Sequence, residues 1–164
     1  MSLESVRAWL AEHAPDIAII DQGESTATVA DAARTLGVEP GQIAKTLSVR
    51  IDGRVVLIVA RGDARLDNRK TKAAFGGRPR MLGADEVFEL TGHRVGGVCP
   101  FGLATPIPVY CDLSLKDFAQ VYPAAGSTTS SVMLTPERLA ALVDAQWVDV
   151  CQPPMAEGAA EAAE

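Results

Sequence analysis

Lys45 is the residue whose type and setting most favour chemistry, because it is a cation at the point where an apolar segment begins. Ile43 and Ala44 precede it, and Leu47 follows shortly after. If the segment is an alternating strand, the ammonium points outward into water. If Lys45 lies at the mouth of a pocket, the ammonium is available to a phosphate or to an oxyanion that develops during hydrolysis. Periodicity alone leaves both interpretations open.

Cys99 is the candidate nucleophile, and it lies in the glycine-rich run Gly96-Gly97-Val98-Cys99-Pro100-Phe101-Gly102. A cysteine nucleophile needs a base, usually histidine, that generates its thiolate. His93 is six residues away, and its spacing does not place it beside the thiol. We predict that Cys99 is a small apolar residue of the loop, and a cysteine-dependent hydrolase is the alternative. The N–H groups of such a loop could bind an anion or a carbonyl oxygen.

Residues 61–80 form a basic segment in an acidic chain. The 164 residues have a formal net charge of −6, which argues against a typical DNA-binding domain. Between residues 61 and 80, seven Lys or Arg residues stand against two Asp, a local charge of +5. The segment is either a solvated helix face or a contact for a phosphate backbone. The candidates for the second role are Arg65, Arg69, Lys70 and Lys72.

Several other kinds of site are excluded by the residue patterns. No complete P-loop, GxGxxG turn, GxSxG elbow or HExxH pair occurs. His13 and His93 lack neighbours at metal-ligand spacing, so we predict no metal and no cofactor. The three cysteines form no CxxC pair, which argues against a disulfide framework and favours the cytoplasm. We find no signal-peptide pattern and no apolar run as long as the ~18 residues of a membrane span.

Short helices and strands must position these residues. Capping and spacing signals predict helices over residues 3–10, 29–36, 67–75, 85–90 and 136–143. Strand-forming runs occupy residues 17–20, 43–51, 54–61, 107–111, 118–122, 131–134 and 147–151. Asp52-Gly53 joins two of these runs and predicts a hairpin. The glycine- and proline-rich residues 92–108 are predicted to form a structured loop. We therefore expect a single α+β domain over residues 1–151 and a flexible tail over 152–164.

Five segments, in this order, resemble the YbaK/EbsC family, which shares its fold with the editing domain inserted in bacterial prolyl-tRNA synthetases. They are Thr28–Val38, Gln42–Leu47, Gly96–Gly102, Val109–Asp112 and Tyr122–Gly126. The resemblance spans about residues 15–150. It implies a mixed, barrel-like β-sheet surrounded by helices. It also implies trans-editing, in which the ester that joins a wrong amino acid to the 3′ end of a tRNA is hydrolysed.

The resemblance also implies roles for particular residues. The family's catalytic lysine falls on Lys45. Substrate binding is implied for the residues that match the family's GxxxP loop, their neighbour and a later pocket glycine: Gly96, Gly97, Val98, Cys99, Pro100, Phe101 and Gly126. No metal is implied. An aminoacyl ester is already activated, so placing water and stabilising the oxyanion can suffice without a protein nucleophile.

The chain departs from the branch of the family that acts on cysteinyl-tRNA. That branch has serine where this chain has Cys99 and Ala124, aspartate where it has Ser131, and tyrosine near Ile19. We therefore do not carry over cysteine specificity. The expected partner is a mischarged tRNA 3′ end, with an aminoacyl-tRNA synthetase as a second candidate, and neither DNA nor a membrane. The alternative function is a non-catalytic module of the same fold that binds tRNA ends, a nucleotide or a synthetase.

Overall fold

The computed structural model describes residues 2–152 and contains short helices packed around a mixed β-sheet. The helices are α1 (Ser2–His13), α2 (Val29–Leu36), α3 (Asn68–Phe75), α4 (Ala84–Thr91) and α5 (Pro136–Leu142), with two 3₁₀ turns at Pro40–Gln42 and Leu113–Asp117. The strands are β1 (Ile20–Asp21), β2 (Ile43–Ile51), β3 (Arg54–Arg61), β4 (Arg65–Leu66), β5 (Arg80–Met81), β6 (Val109–Asp112), β7 (Tyr122–Pro123), β8 (Ser130–Ser131), β9 (Gln146–Val148) and β10 (Cys151–Gln152). This mixture confirms the predicted α+β class.

The β2–β3 hairpin is the centre of the sheet. The two strands pair antiparallel from Ala44 opposite Arg61 to Ile51 opposite Arg54. The turn between them has positive φ at both Asp52 (51°) and Gly53 (78°). A two-residue turn that matches the twist of the flanking strands requires positive φ at both of its central residues. The predicted hairpin is confirmed.

The sheet is open, which corrects the barrel-like closure that the resemblance implied. Its strand order is β5-β2-β3-β6-β9, and β7 also pairs with β2. β3 pairs parallel with β6, and β6 pairs parallel with β9, so the sheet is mixed. Closing a barrel requires continuous pairing around a ring. Within residues 2–152 the end strands β5 and β9 have two and three residues, and they do not pair with each other.

The five predicted helices are confirmed, and a side-chain cap marks the start of α2, α3 and α5. The Thr28 hydroxyl accepts from the Asp31 N–H, and α2 ends at Gly37 with φ 72°. The Asp67 carboxylate caps α3 in the same way by accepting from Lys70 N–H. Each bond satisfies a backbone donor that the first helical turn leaves without a partner.

Four predicted strands are largely wrong. Residues 17–20 and 118–122 contribute only β1 and β7, and residues 131–134 and 147–151 pair over two or three residues. Several apolar side chains in these runs are buried nonetheless, among them Val121, Val132 and Leu134, whereas Met133 is exposed. An isolated bridge joins Val121 to Leu134. Their hydrophobicity reflects burial in packed loops rather than extended pairing.

Two of the three core clusters among residues 2–152 lie on opposite faces of the hairpin. Leu57 and Val59 of β3 pack into the first, which receives Val6 of α1. Ile58 and Ala60, on the opposite face of the same strand, pack into the second. Both faces of the hairpin are therefore covered.

Gln152 belongs to β10, whereas residues 153–164 of the predicted tail lie outside the described residues. The division into one domain and a tail stays a prediction. No helix among residues 2–152 is long and apolar enough to cross a membrane.

We expect Thr135→Ala to lower the free energy of unfolding by about 1 kcal/mol, because its hydroxyl caps α5 by accepting from Arg138 N–H. Thr135→Ser keeps this oxygen and is the matched control. Urea unfolding followed by circular dichroism measures both variants. Equal stability of Thr135→Ala and wild type would contradict the capping role.

Candidate functional site

The outer edge of β2 is only partly paired. β7 pairs with it at Ile43 and Ala44, and β5 pairs at Val49 and Arg50, so residues 45–48 lie between two partners. The Leu82 N–H donates to the Ser48 carbonyl at 3.0 Å, which shows that the Ser48 peptide groups face this outer edge. Alternate residues of a strand paired antiparallel direct their peptide groups to the same edge. The N–H and C=O of Thr46 therefore face the interval between β5 and β7.

A cavity of about 320 Å³ lies at this interval. Its wall is mainly apolar, with Ala27, Val29, Ala32, Ile43, Ala44, Leu47, Met81, Leu82, Val87, Val95, Val98 and Ala124. Gly96 and a few polar residues complete the wall: Thr26, Thr28, Lys45, Thr46, Ser48, Tyr122 and Ser131. A concave apolar site with a small number of polar groups is typical of a small-molecule site.

Lys45 lines this cavity and is half-buried. Its Nζ donates to the carbonyl oxygen of Ala64 at 2.5 Å, in the loop between β3 and β4. This bond limits the positions that the flexible side chain can take. Lys45 is therefore part of the cavity wall. It lies opposite Ala60, so its side chain is on the sheet face of the second core cluster, where Nζ meets the Ala64 carbonyl. Its catalytic role stays a prediction.

The glycine-rich loop does not form one continuous binding surface. Gly96 and Val98 line the Lys45 cavity. Cys99 and Phe101 are fully buried in the first core cluster. Only these first two of the seven residues predicted to bind substrate line the Lys45 cavity. The other five are Gly97, Cys99, Pro100, Phe101 and Gly126.

Pro100, Gly97 and Gly126 lie on other surfaces. Pro100 lines a cavity on the Trp9 side, and Gly97 and Gly126 line a third cavity beside Ser2. The Gly126 N–H donates to the Gly97 carbonyl at 3.0 Å, and the Gly97 N–H donates to the Arg94 carbonyl. The Gly97 N–H is thus engaged inside the protein, contrary to the expected use of the loop as an anion-binding row of N–H groups.

Close packing explains why residues 97 and 126 are glycines. A Cβ on Gly97 would lie 2.8 Å from the Gly126 carbonyl carbon, and one on Gly126 would lie 2.7 Å from the Ser2 carbonyl oxygen. Both distances are shorter than a van der Waals contact permits. Gly126 also has φ +97°, which disfavours a side chain. These glycines hold the loop, the segment near residue 126 and α1 together.

The structure brings His93 next to Cys99, a proximity that sequence spacing did not reveal. His93 Nε2 lies 3.6 Å from Cys99 Sγ and 2.7 Å from the Phe101 carbonyl oxygen. Because a carbonyl oxygen only accepts, Nε2 carries a proton and donates it to Phe101. The Ser2 hydroxyl is hydrogen-bonded to Nδ1. Nε2 therefore cannot accept a proton from the thiol in this arrangement.

Burial opposes thiolate formation as well. It raises the pKa of the Cys99 thiol to about 12. It also lowers the pKa of His93, so the neutral imidazole is favoured. No imidazolium is then available to stabilise a thiolate. These observations support the prediction that Cys99 is not a nucleophile.

Some cations of the basic segment form ion pairs inside the protein. Arg61 pairs with Asp63 at 2.5 Å and Asp117 at 2.8 Å, and its guanidinium lies 4.8 Å from the centre of the Phe118 ring. Lys70 pairs with Asp149 at 3.1 Å. The segment is therefore not one uniform cationic surface.

The four predicted phosphate contacts differ in exposure. Arg69 and Lys72 are exposed, whereas Arg65 and Lys70 are half-buried. Arg69 and Lys72 are three positions apart on α3 and so share a helix face. Arg80, which sequence reasoning did not single out, is exposed in β5 beside the cavity residue Met81. Only the pairing of β5 with β2 could reveal its nearness to the cavity.

We expect the three thiols of the folded protein to react slowly with Ellman's reagent at pH 8. All three cysteines are unpaired and buried, and burial raises the thiol pKa of Cys99 and Cys111 to about 12 and that of Cys151 further. Three equivalents should react at once after denaturation. Rapid reaction of one equivalent in the native protein, lost in Cys99→Ser, would restore Cys99 as a nucleophile candidate.

Comparison with known proteins identifies similar chains. A family model described as the aminoacyl-tRNA editing domain matches residues 23–142. The uncharacterized protein YwhH of Bacillus subtilis is 48% identical over 154 residues, which is 93% of this chain and 98% of YwhH. EbsC of Enterococcus faecalis, named as a candidate Cys-tRNA(Pro)/Cys-tRNA(Cys) deacylase, is 29% identical over 72% of this chain and 73% of its own length.

Two further similarities concern prolyl-tRNA synthetase. The proline–tRNA ligase of Bacillus licheniformis is 32% identical over 105 residues, 63% of this chain and 18% of the ligase. A crystal structure described as that of a candidate trans-editing enzyme for prolyl-tRNA synthetase superposes with a TM-score of 0.85 at 34% identity. The match covers 93% of this chain and 98% of that one.

Proposed function

Because this chain belongs to the aminoacyl-tRNA editing domain family, we propose that it is a trans-acting deacylase that hydrolyses the ester of a mischarged tRNA in the cytoplasm. The observation that carries the proposal is that Lys45, a half-buried cation, lines a mainly apolar cavity. The proposal requires its ammonium to leave the Ala64 carbonyl and turn to that cavity. A cation in such surroundings interacts more strongly with an anion than it would in water. The edited amino acid is left unassigned, because this chain departs from the cysteinyl-tRNA branch at Cys99, Ala124 and Ser131.

The proposed chemistry is addition of water to an activated ester. The water oxygen adds to the ester carbonyl carbon, and the carbonyl oxygen becomes an oxyanion that the Lys45 ammonium stabilises. The carbon–oxygen bond to the ribose then breaks, and the ribose oxygen takes up the proton that the attacking water releases. The products are the free amino acid and a tRNA with a free 3′ end. Cys99 takes no part, since its thiol is protonated and buried.

We expect Lys45→Ala to slow single-turnover deacylation by about 100-fold or more, the loss typical of an oxyanion donor. Lys45→Arg should restore little activity, because a planar guanidinium does not replace a compact ammonium. The assay uses whichever mischarged tRNA a screen of the twenty amino acids identifies. Lys116→Ala is the matched control, since Lys116 lies over the Trp147 ring, outside the cavity wall.

Stability must be measured on the same variants. Lys45→Ala removes the donor to the buried Ala64 carbonyl and should lower the free energy of unfolding by about 1 kcal/mol. Assays well below the melting temperature separate this effect from chemistry. A stably folded Lys45→Ala protein that hydrolyses at the wild-type rate would contradict the proposed site. Tight binding of tRNA without turnover by the wild type would identify a non-catalytic binding module instead.

We propose that the exposed face of α3 contacts the tRNA backbone. Arg69→Glu with Lys72→Glu should weaken tRNA binding and flatten its dependence on salt, because fewer counterions are released. Arg7→Glu with Arg54→Glu changes the net charge equally at exposed positions elsewhere and is the control. Filter binding at several salt concentrations measures the slopes. Equal slopes for the two double variants would make the α3 face a merely solvated surface.

A further inference from the structure

Two buried threonine hydroxyls on the cavity wall have no hydrogen-bond partner within residues 2–152. They are the Oγ1 atoms of Thr26 and Thr46, and both residues line the cavity of Lys45. Thr26 is only 6% exposed. Buried polar groups in proteins are nearly always hydrogen-bonded, so two exceptions on one cavity wall require an explanation.

Other threonines of this chain show the usual arrangement. The Thr71 hydroxyl donates to the Asp67 carbonyl at 2.8 Å, and the Thr91 hydroxyl donates to the Val87 carbonyl at 2.7 Å. The missing partners of Thr26 and Thr46 are therefore a property of the cavity wall and not of buried threonines in this fold.

The backbone holds both residues in place. The Thr26 N–H donates to the Thr128 carbonyl at 2.7 Å. Thr46 pairs with Val59 inside the β2–β3 hairpin, and its own peptide groups face the interval between β5 and β7. A ligand in the cavity would thus meet hydroxyl and carbonyl oxygens whose main chain is already ordered.

The charge of the wall limits which polar group these oxygens can serve. No described residue that lines the cavity is Asp or Glu. An aminoacyl ester carries an α-ammonium group next to its ester carbonyl, and an ammonium has three N–H donors. Without a carboxylate, such a group must be bound by neutral oxygen acceptors.

We propose that the hydroxyls of Thr26 and Thr46 bind the α-amino group of the aminoacyl ester. The inference rests on the proposed function in that it takes the ligand to be an aminoacyl ester. Both threonines line the same cavity, so both hydroxyls are available to one ligand. A rotation about χ1 exchanges the hydroxyl and methyl positions of threonine, which allows either oxygen to turn to the ligand.

Binding of two adenosine derivatives tests the proposal without any need for turnover. The first is 3′-alanylamino-3′-deoxyadenosine, whose amide resists hydrolysis, and the second is its propionyl counterpart, which lacks the amine. Wild type should bind the first more tightly by about tenfold or more, as expected for a hydrogen bond to a charged group. Thr26→Val and Thr46→Val should each lose most of this preference, and Thr46→Ser should keep it. Isothermal titration calorimetry gives the four affinity ratios.

Stability provides the second readout. Valine has the shape of threonine, and replacing a hydroxyl that has no partner should leave the melting temperature unchanged or raise it. Thr71→Val is the matched control, because it removes a hydroxyl that donates to the Asp67 carbonyl, and its melting temperature should fall. Melting temperatures of Thr26→Val and Thr46→Val that fall as far as that of Thr71→Val would show that the two hydroxyls are structural and would overturn the proposal.

The remaining outcomes are also decisive. Equal affinity of the wild type for the two ligands, absence of binding, or an unchanged preference in both valine variants would overturn the proposal. A wild type that hydrolyses mischarged tRNA while the valine variants keep their amine preference refutes this inference and leaves the proposed function standing. A wild type that shows the threonine-dependent preference but hydrolyses no aminoacyl-tRNA refutes the proposed function and supports this inference.

Discussion

The divided pairing of β2 is the constraint on which the candidate site depends. β3 covers one edge of the strand over nearly its whole length, while the other edge is shared by β7 at one end and β5 at the other. Buried backbone polar groups normally find partners. The interval between β5 and β7 leaves peptide groups of β2 facing a cavity whose walls are otherwise mainly apolar. The sheet thus supplies part of the cavity wall and part of its polar lining.

The groups that could have made a nucleophilic site are instead committed to structure. His93 bridges Ser2 and the Phe101 carbonyl, so it ties α1 to the glycine-rich loop. Cys99 fills the core beside it, where burial raises the pKa of its thiol to about 12. What remains at the cavity is a cation and several neutral oxygens, a set that suits the hydrolysis of an activated ester by water.

The glycines of the family motifs and the residues of the cavity wall have different structural roles. Gly97 and Gly126 pack against each other and against α1, so they maintain the shape of the loop rather than contact the Lys45 cavity. The side chains that form the wall come mostly from residues outside the glycine-rich run, including Val29, Leu82 and Val87. Substrate preference can therefore differ between relatives that share the motifs, because a few methyl groups on the wall alter the space available to a side chain.

The sequence by itself determined the features whose physics is local. Asp52-Gly53 specified the hairpin, and Thr28 with Gly37 specified α2, because turns and caps act between residues a few positions apart. The tertiary structure alone decided the open sheet, the short pairing of β1 with β8, the nearness of His93 to Cys99 and the partition of the glycine-rich loop. Each of these depends on contacts between distant segments or on how a loop folds back on itself. A residue pattern can show that a segment is buried, but it does not show which partner buries it.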